Sequence, residues 1–266
     1  MLNGLSIDVE EWFQVGAFET VIARADWDSL PSRVEEGTAR ALDLFARAGV
    51  KGTFFTLGWV AERHPALIRR IVAEGHELAS HGWDHARVFT LDAKRFAADL
   101  ARARTALEDA GGVAVCGYRA PSFSIDTRTP WAHQVLAEAG YAYSSSVAPL
   151  AHDHYGWAEA PRFAYHPVVG STLLEMPVTT VRVGGRRMAA GGGGFFRVLP
   201  YGFSHWAISQ INEAVRQMDN NTQQNAALVE QAAAAGDGQE QHHPGGHRDA
   251  RNYTVKKAPS PPTCYT

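Results

Sequence analysis

Residues 51–85 read KGTFFTLGWVAERHPALIRRIVAEGHELASHGWDH and contain two strand patterns separated by a helix pattern. The first, KGTFFTL at 51–57, is a short run rich in Thr and Phe, which is typical of a buried strand. PALIRRIVAEG predicts a helix with Pro65 in its first turn, and HELASHG at 76–82 predicts the second strand. A strand, a helix and another strand in this order favour a parallel sheet covered by helices.

The same alternation extends in both directions from this unit, up to about residue 217. Further strands are predicted at LNGLSIDV (2–9), VAVCGYRAP (113–121), YAYSSSV (141–147) and TLLEMPVTTV (172–181). Further helices are predicted at SRVEEGTARALDLFARAG (32–49), LDAKRFAADLARARTALEDAGG (91–112) and TPWAHQVLAEAG (129–140). We therefore expect one α/β domain over residues 1–217. Residues 218–266 are rich in Asn, Gln, Ala, Gly and Pro without a strand-like run, and we expect a disordered tail there.

The helix pattern at 32–49 also carries signals for its ends and for its buried face. Ser32 with Glu35 three residues later predicts a capping box, and Gly49 predicts the end of the helix. The apolar spacing predicts an inner face made of Val34, Ala41, Leu44, Phe45 and Ala48.

Composition excludes some classes of partner. The chain has 266 residues, is 45% hydrophobic and carries a formal net charge of -3, so it offers no electrostatic reason to expect nucleic acid or an anionic membrane surface. No apolar run approaches the roughly 18 residues of a membrane span. The N-terminus lacks a basic segment followed by an apolar one, and we therefore expect a cytoplasmic location. The sequence does not indicate the oligomeric state.

Side chains that can take part in chemistry lie at the ends of three predicted strands. Asp8 and Glu10 come at the end of the first, His81 and His85 at the end of the strand in HELASHG, and Arg119 at the end of the next strand. Taken singly, each has an ordinary explanation: a helix cap, exposed imidazoles, or a turn with a salt bridge. The carboxyl ends of parallel strands meet at one edge, however, and two imidazoles with a carboxylate are typical zinc ligands. The pattern predicts a divalent metal site, with zinc favoured over cobalt, nickel or iron.

Four segments resemble motifs of a known family. SIDVEEWFQV (6–15), SHGWDH (80–85), YRAPSFS (118–124) and GGGGFFRVLPY (191–201) are similar to motifs of the polysaccharide deacetylases of carbohydrate esterase family four, in the branch associated with exopolysaccharide loci. The resemblance covers residues 1–217. It implies an irregular (β/α)7 barrel resembling a TIM barrel.

The resemblance also implies a metal-assisted hydrolysis. Asp8 would be the general base that deprotonates metal-bound water, and Arg119 would keep Asp8 ionised and oriented. The acidic metal ligand would be Glu10, and its neighbour Glu11 is the alternative. The implied metal ligands are Glu10, His81 and His85.

Neighbouring residues receive supporting roles from the same resemblance. The backbone N–H of Ser122 would stabilise the oxyanion of the tetrahedral intermediate. Trp83 and Phe123 would form part of the pocket wall, because aromatic faces suit sugar rings. Asp84 is an alternative candidate for orienting a histidine. His76, which lies in the predicted strand and before the site, is interpreted as structural.

The chain also departs from the family pattern. Ser144 stands where family members often carry an aspartate. The family's last motif, an apolar strand ending in the histidine that protonates the departing amine, has no clear counterpart after residue 217. His243 has no such strand before it, and His205 falls within a helix pattern. We therefore expect a barrel that is incomplete at its C-terminal end and an enzyme with impaired activity.

Three functions fit these residues. The leading hypothesis is a hydrolase that removes N-acetyl groups from the amino sugars of an N-acetylated polysaccharide or oligosaccharide. The second is a catalytically impaired relative that binds glycan. The third is a small-molecule amidase on the same scaffold, because a fold alone does not determine a substrate.

Overall fold

The computed structural model describes residues 4–152, 155–190, 200–203, 205–210 and 213. The chain divides into two compact units, one of residues 2–200 and one of residue 1 with residues 201–266. In the second unit the described residues, including His205, are helical. The predicted tail at 218–266, His243 and most of the glycine-rich motif at 191–201 lie outside the described residues.

Six parallel strands form one sheet, and each strand pairs with the next one along the chain. They are β1 (Ser6–Val9), β2 (Thr53–Thr56), β3 (Glu77–Ser80), β4 (Gly117–Tyr118), β5 (Tyr143–Ser144) and β6 (Leu174–Glu175). Because all six run in the same direction, their C-terminal ends lie along one edge of the sheet. The predicted α/β class with a parallel sheet is confirmed.

A separate antiparallel pair follows the sheet and was not predicted. It consists of β7 (Thr180–Val183) and β8 (Arg186–Ala189). The predicted single strand at 172–181 is divided near Pro177, which cannot donate a backbone hydrogen bond to a sheet. Gly184 and Gly185 connect the two strands with φ angles of 56° and 80°. Positive φ at both turn positions is what a two-residue hairpin requires, so this Gly-Gly pair was an available signal.

Five α-helices are present in the described residues of the first unit. They are α1 (Val34–Ala48), α2 (Gly58–Arg63), α3 (Pro65–Ala73), α4 (Ala93–Gly111) and α5 (Ala132–Glu138). Pro65 is at the start of α3, as predicted. The six-residue helix α2 was not predicted, because it is too short to show helical periodicity. None of the described helices is both long and apolar enough to cross a membrane.

The start of α1 differs from the predicted capping box. Neither Ser32 nor Glu35 caps the helix; the hydroxyl of Ser32 donates to the carboxylate of Glu11 instead. The backbone N–H of Arg33 donates to Glu11 Oε2 at 2.9 Å. A buried carboxylate from the loop after β1 therefore accepts the donors next to this helix, which stabilises its N-terminus.

The core lies between the sheet and its helices. Helix α1 turns Leu42 inward rather than Leu44, whose exposed fraction is 55%. Residues 34, 38, 42 and 45 follow the 3.6-residue period more closely than the set we predicted. Side chains from β2, β3 and β4 meet those from α3 and α4 in one apolar cluster, which includes Phe54, Leu78, Tyr118, Ile68, Ile71, Leu100 and Leu107.

Candidate metal centre and active site

The ends of three strands are held side by side by backbone hydrogen bonds. The N–H of His81 donates to the carbonyl of Thr56 at 2.9 Å, and the N–H of Arg119 donates to the carbonyl of Ser80 at 2.9 Å. The sheet pairing thus continues one residue beyond β2, β3 and β4. It fixes the backbone positions of His81 and Arg119 at the same edge as the end of β1.

Three side chains converge at this edge. Glu10, His81 and His85 each offer one ligand atom, and these atoms all lie within 4.8 Å of one another. Glu10 Oε2 is 2.9 Å from His85 Nε2 and 3.9 Å from His81 Nε2. The side chains of His81 and His85 are 1% and 8% exposed, so this group is shielded from water. The structure brings together the three residues predicted as metal ligands.

The donor atoms of this group suit a divalent metal ion. Glu10 Oε2 and His81 Nε2 are buried and have no hydrogen-bond partner among the described residues. Leaving a buried polar atom without a partner costs roughly 1–3 kcal/mol, and a bound cation removes that cost. His81 Nδ1 lies 2.9 Å from the carbonyl of Arg119. A carbonyl only accepts, so Nδ1 carries the proton and Nε2 presents its lone pair.

The electrostatics of His81 agree with this arrangement. Burial lowers the pKa of His81 below its ordinary value, although the nearby carboxylates of Asp8 and Glu10 act in the opposite direction. A lowered pKa keeps the imidazole neutral, which is the form that binds metal.

A second pair lies beside the three ligands. Arg119 Nη1 donates to Asp8 Oδ1 at 2.8 Å. The same guanidinium donates to Ser145 through Nε to its carbonyl at 3.2 Å and through Nη2 to its hydroxyl at 3.1 Å. It also lies over the ring of Phe55, at 4.0 Å from the centroid. The side chain of Arg119 is therefore fixed on several sides.

Asp8 remains ionised in this environment. Burial alone would raise the pKa of Asp8, but the guanidinium of Arg119 opposes burial through its charge and its hydrogen bond, and the pKa lies below its ordinary value. An ionised carboxylate accepts protons and hydrogen bonds, as a general base must.

The loop that carries the two histidines has an unusual backbone. Gly82 and His85 have φ angles of 81° and 64°, which is strained for His85. The carboxylate of Asp99 on α4 accepts from the N–H of Trp83 at 3.2 and 3.3 Å. A Cβ on Gly82 would lie only 3.0 Å from Asp99 Oδ2, so glycine allows this close approach. Asp99 thus holds the loop against helix α4.

Two predictions for this loop are corrected. The ring of Trp83 does not belong to the pocket wall: it packs between α2 and α4, where a Cβ on Gly58 would meet it at 2.6 Å. Arg102 covers this ring, at 3.4 Å from its centroid. Asp84 is not the residue that orients a histidine; its carboxylate pairs with Arg24.

Glu11 and His76 make contacts that support the fold. Glu11 accepts from residues at the start of α1, which removes it as the alternative metal ligand. His76 Nδ1 accepts from the N–H of Gly52 at 3.1 Å, and the imidazole ring packs against Phe54 with 4.9 Å between centroids. This agrees with the structural role predicted for His76.

Ser122 and Phe123 lie in a turn directly after Arg119. Both have left-handed backbones, with φ of 54° and 49°. The ring of Phe123 is 5.7 Å from the guanidinium of Arg119 and packs with Ala148, Leu150 and Ala189. Phe123 thus borders the Asp8–Arg119 pair. The roles of Ser122 in oxyanion binding and of Phe123 in sugar binding stay predictions.

Sequence reasoning missed three residues around the site. Ser145, in the run of serines after β5, gives Arg119 two acceptors, and Asp99 supports the histidine loop. Glu175, at the end of β6, accepts from the N–H groups of Ser146 and Val147 at 2.9 Å each. A polar residue inside a strand pattern, as in TLLEMPV, was the available signal for Glu175.

Comparison with known families identifies the domain. Residues 25–144 match the polysaccharide deacetylase family, and residues 145–219 match a domain of unknown function named DUF3473. The chain therefore carries a polysaccharide deacetylase domain, which agrees with the family that its motifs resemble. The two matches together cover residues 25–219, so the domain predicted at 1–217 is divided between two families at residue 145. The exopolysaccharide-locus branch stays a prediction.

Individual relatives are similar over part of their length. A chitin deacetylase of Pestalotiopsis sp is 33% identical over 121 residues, which cover 44% of this chain and 40% of that protein. A chitooligosaccharide deacetylase of Bradyrhizobium sp. is 31% identical over 147 residues, which cover 55% of this chain and 61% of that protein. The chain thus spans about half the length of these curated relatives.

A solved structure has a similar fold. A polysaccharide deacetylase structure from Mycobacterium smegmatis superposes with a TM-score of 0.51 at 31% identity, covering 66% of this chain and 58% of that one. This similarity agrees with the parallel-sheet architecture described above for residues 4–190, apart from 153–154.

Proposed function

We propose that this protein is a metal-dependent N-deacetylase acting on the N-acetylated amino sugars of a polysaccharide or oligosaccharide. One observation carries the proposal. Buried atoms of Glu10 and His81, which have no hydrogen-bond partner in the described part of the chain, lie close to His85 at the strand ends, next to an ionised carboxylate held by an arginine. The named activities of the chitin and chitooligosaccharide deacetylases support the choice of substrate class.

The reaction uses water to convert an acetamide into acetate and a free amine. Glu10, His81 and His85 would hold the metal, which when bound lowers the pKa of water and polarises a carbonyl. Two imidazoles and a carboxylate favour zinc, although cobalt, nickel and iron accept the same donors.

The protein's own residues carry the proton and charge movements. Asp8 accepts the proton of the attacking water and returns it to the amine nitrogen as the C–N bond breaks; a positioned general base typically contributes ~10²–10⁴-fold. Arg119 keeps Asp8 ionised and aimed, since its guanidinium is anchored to Ser145 and Asp8 at once. The N–H of Ser122 stabilises the negative charge on the amide oxygen as the tetrahedral intermediate forms. Phe123 provides an apolar face beside the reacting sugar.

The test is acetate release from N-acetylglucosamine oligosaccharides with added zinc. We expect release by the unaltered protein and at least a 100-fold loss in His85→Ala, together with loss of bound metal measured by elemental analysis. His166→Ala is the matched control, because His166 is exposed and its Nδ1 bonds only the carbonyl of Leu173 in the described structure.

Other outcomes would replace the proposal. Glycan binding without acetate release, from folded and zinc-loaded protein, would indicate an impaired relative that binds its substrate. Activity only on small amides would indicate an amidase. Undiminished release by His85→Ala would contradict the metal site.

A further inference from the structure

The antiparallel hairpin carries an arginine face that the proposed chemistry does not use. Arg182 on β7 lies directly opposite Arg187 on β8. Residues two apart on a strand share a face, so Thr180 is on the same side as Arg182. Arg162 reaches this side, because its Nε donates to Thr180 Oγ1 at 3.1 Å. We call Arg162, Arg182 and Arg187 the arginine face.

The contacts of Arg162 and Arg187 hold these two side chains in place without neutralising them. Arg162 Nη2 donates to the carbonyl of Thr180 at 2.5 Å. Arg187 Nη1 donates to the carbonyls of Ala158 and Ala160 at 2.6 and 2.8 Å. Carbonyls accept hydrogen bonds but bring no negative charge. Within the described part of the chain, no carboxylate forms an ion pair with any residue of the arginine face.

This arrangement is unfavourable for an isolated protein. Like charges directly opposite on neighbouring strands destabilise the pair. Burial lowers the pKa of Arg162 below its usual value, and the positive charges of Arg182 and Arg187 lower it further. An anion placed among the three guanidinium groups would turn this repulsion into attraction, and the planar fork of arginine suits carboxylate and phosphate oxygens.

The arginine face is connected to the candidate active site. Ala189, on the same strand as Arg187, packs in the apolar cluster that includes Ala148 and Leu150, with Phe123 against it. Phe123 in turn lies beside Arg119. A ligand that contacts both places would be an extended one that follows this side of the unit.

We propose that the arginine face binds an anionic sugar of the same polymer, namely the carboxylate of a uronic acid near the N-acetylated residue that is hydrolysed. The inference rests on the proposed deacetylase function and narrows its substrate to an acidic polysaccharide. The position of the uronic acid in the polymer would then determine which N-acetylated sugar binds in the active site.

Binding of two fluorescent hexasaccharides tests this. One alternates N-acetylglucosamine with glucuronate, and the other is the neutral N-acetylglucosamine hexamer. We expect the full chain to bind the acidic ligand at least about 5-fold more tightly, and this preference to shrink as salt rises from about 50 to about 300 mM. The measurement is made with and without zinc, so that binding is read independently of turnover.

Arg182→Gln is the informative variant, because Arg182 is exposed and its removal breaks no described hydrogen bond. We expect it to weaken binding of the acidic ligand about 5-fold and to leave the neutral ligand unchanged. Arg186→Gln is the matched control, since Arg186 is also exposed but pairs with Val183 on the alternate face of the hairpin. It should change neither affinity by more than about 2-fold.

Three results would overturn the inference: equal affinity for both ligands, no effect of Arg182→Gln, or an equal effect of Arg186→Gln. Binding of inorganic phosphate is measured as well. If phosphate binds as tightly as the acidic hexasaccharide, the arginine face is a site for a free anion instead. Absence of acetate release with the expected binding pattern would refute the deacetylase proposal alone.

Discussion

Two glutamates face imidazoles at the ends of strands in this domain, and their surroundings differ. Glu175, the last residue of β6, is fully buried, and His133 Nε2 donates to its Oε2 at 3.1 Å. Its other oxygen accepts two backbone N–H groups. Glu10, after β1, faces His81 and His85 with an oxygen that has no hydrogen-bond partner among the described residues. We call Glu175 and its three donors the saturated group, and we expect it to stabilise the fold. We call Glu10 with His81 and His85 the unsaturated group, because its buried atoms without hydrogen bonds among the described residues are available to a ligand.

The most demanding test of this contrast removes the saturated carboxylate. Glu175→Ala leaves the N–H groups of Ser146 and Val147 and the ring of His133 without their acceptor in the core. Breaking such a buried group typically costs about 3–5 kcal/mol, and we expect that loss in the free energy of unfolding. Urea denaturation of metal-free protein measures it. Glu175→Gln, which keeps one oxygen acceptor, should recover part of the loss.

Glu10→Ala is the matched substitution at the unsaturated group. In metal-free protein we expect its unfolding free energy to stay within about 1 kcal/mol of the parent, because Glu10 Oε2 has no hydrogen-bond partner among the described residues and loses only close contacts with the two imidazoles, such as the 2.9 Å contact with His85 Nε2. Equal destabilisation by Glu10→Ala and Glu175→Ala would show that the two groups do not differ in the way we describe.

Asp99 is a third acid for comparison; it is half-buried and lies between these extremes. It accepts the N–H of Trp83, but burial and then the nearby Asp84 raise the pKa of Asp99 to about 7. A raised carboxyl pKa means that the unfolded chain releases the proton first, so stability is lost as pH rises from about 4 to about 7. Asp99→Asn keeps an acceptor and removes this titration.

We therefore expect Asp99→Asn to gain stability relative to the parent by about 2–3 kcal/mol between pH 5 and pH 8. Urea denaturation at both pH values measures the difference. Asp109→Asn is the control for the loss of an acid from α4. Asp109 lies on the same helix and forms no ion pair with the described residues. A constant difference between parent and Asp99→Asn at the two pH values would exclude a raised pKa.

The main features of the site could be predicted because parallel strands end at one edge. Asp8, Glu10, His81 and Arg119 lie at strand ends, so their order in the sequence nearly determines their position in space. The same reasoning located the α/β class, because strand and helix patterns alternate clearly through residue 147.

Side chains in loops could not be placed this way. In SHGWDH the left-handed backbones of Gly82 and His85 direct Trp83 into the helix layer, and periodicity carries no information about such turns. The partners of Glu175 also escaped prediction. His133 precedes it by 42 residues, and only the folded sheet and α5 bring the two together.

The smallest effect is expected where the two glutamate groups are linked, at Ser145. Glu175 holds the N–H groups of Ser146 and Val147, and the adjacent Ser145 supplies the carbonyl and hydroxyl that orient Arg119. Ser145→Ala removes only the hydroxyl contact to Arg119 Nη2, and one such hydrogen bond is worth about 1 kcal/mol.

Under the proposed function, Ser145→Ala should lower kcat for acetate release about 5-fold, with KM unchanged, because Arg119 still bonds Asp8 but is less firmly aimed. Ser145→Thr keeps the hydroxyl and should restore kcat. A role confined to folding would instead lower the melting temperature of Ser145→Ala and leave kcat per folded molecule unchanged. A kcat that falls with rescue by threonine would make Ser145 a positioning residue, through which the saturated group at Glu175 supports the chemistry at Asp8.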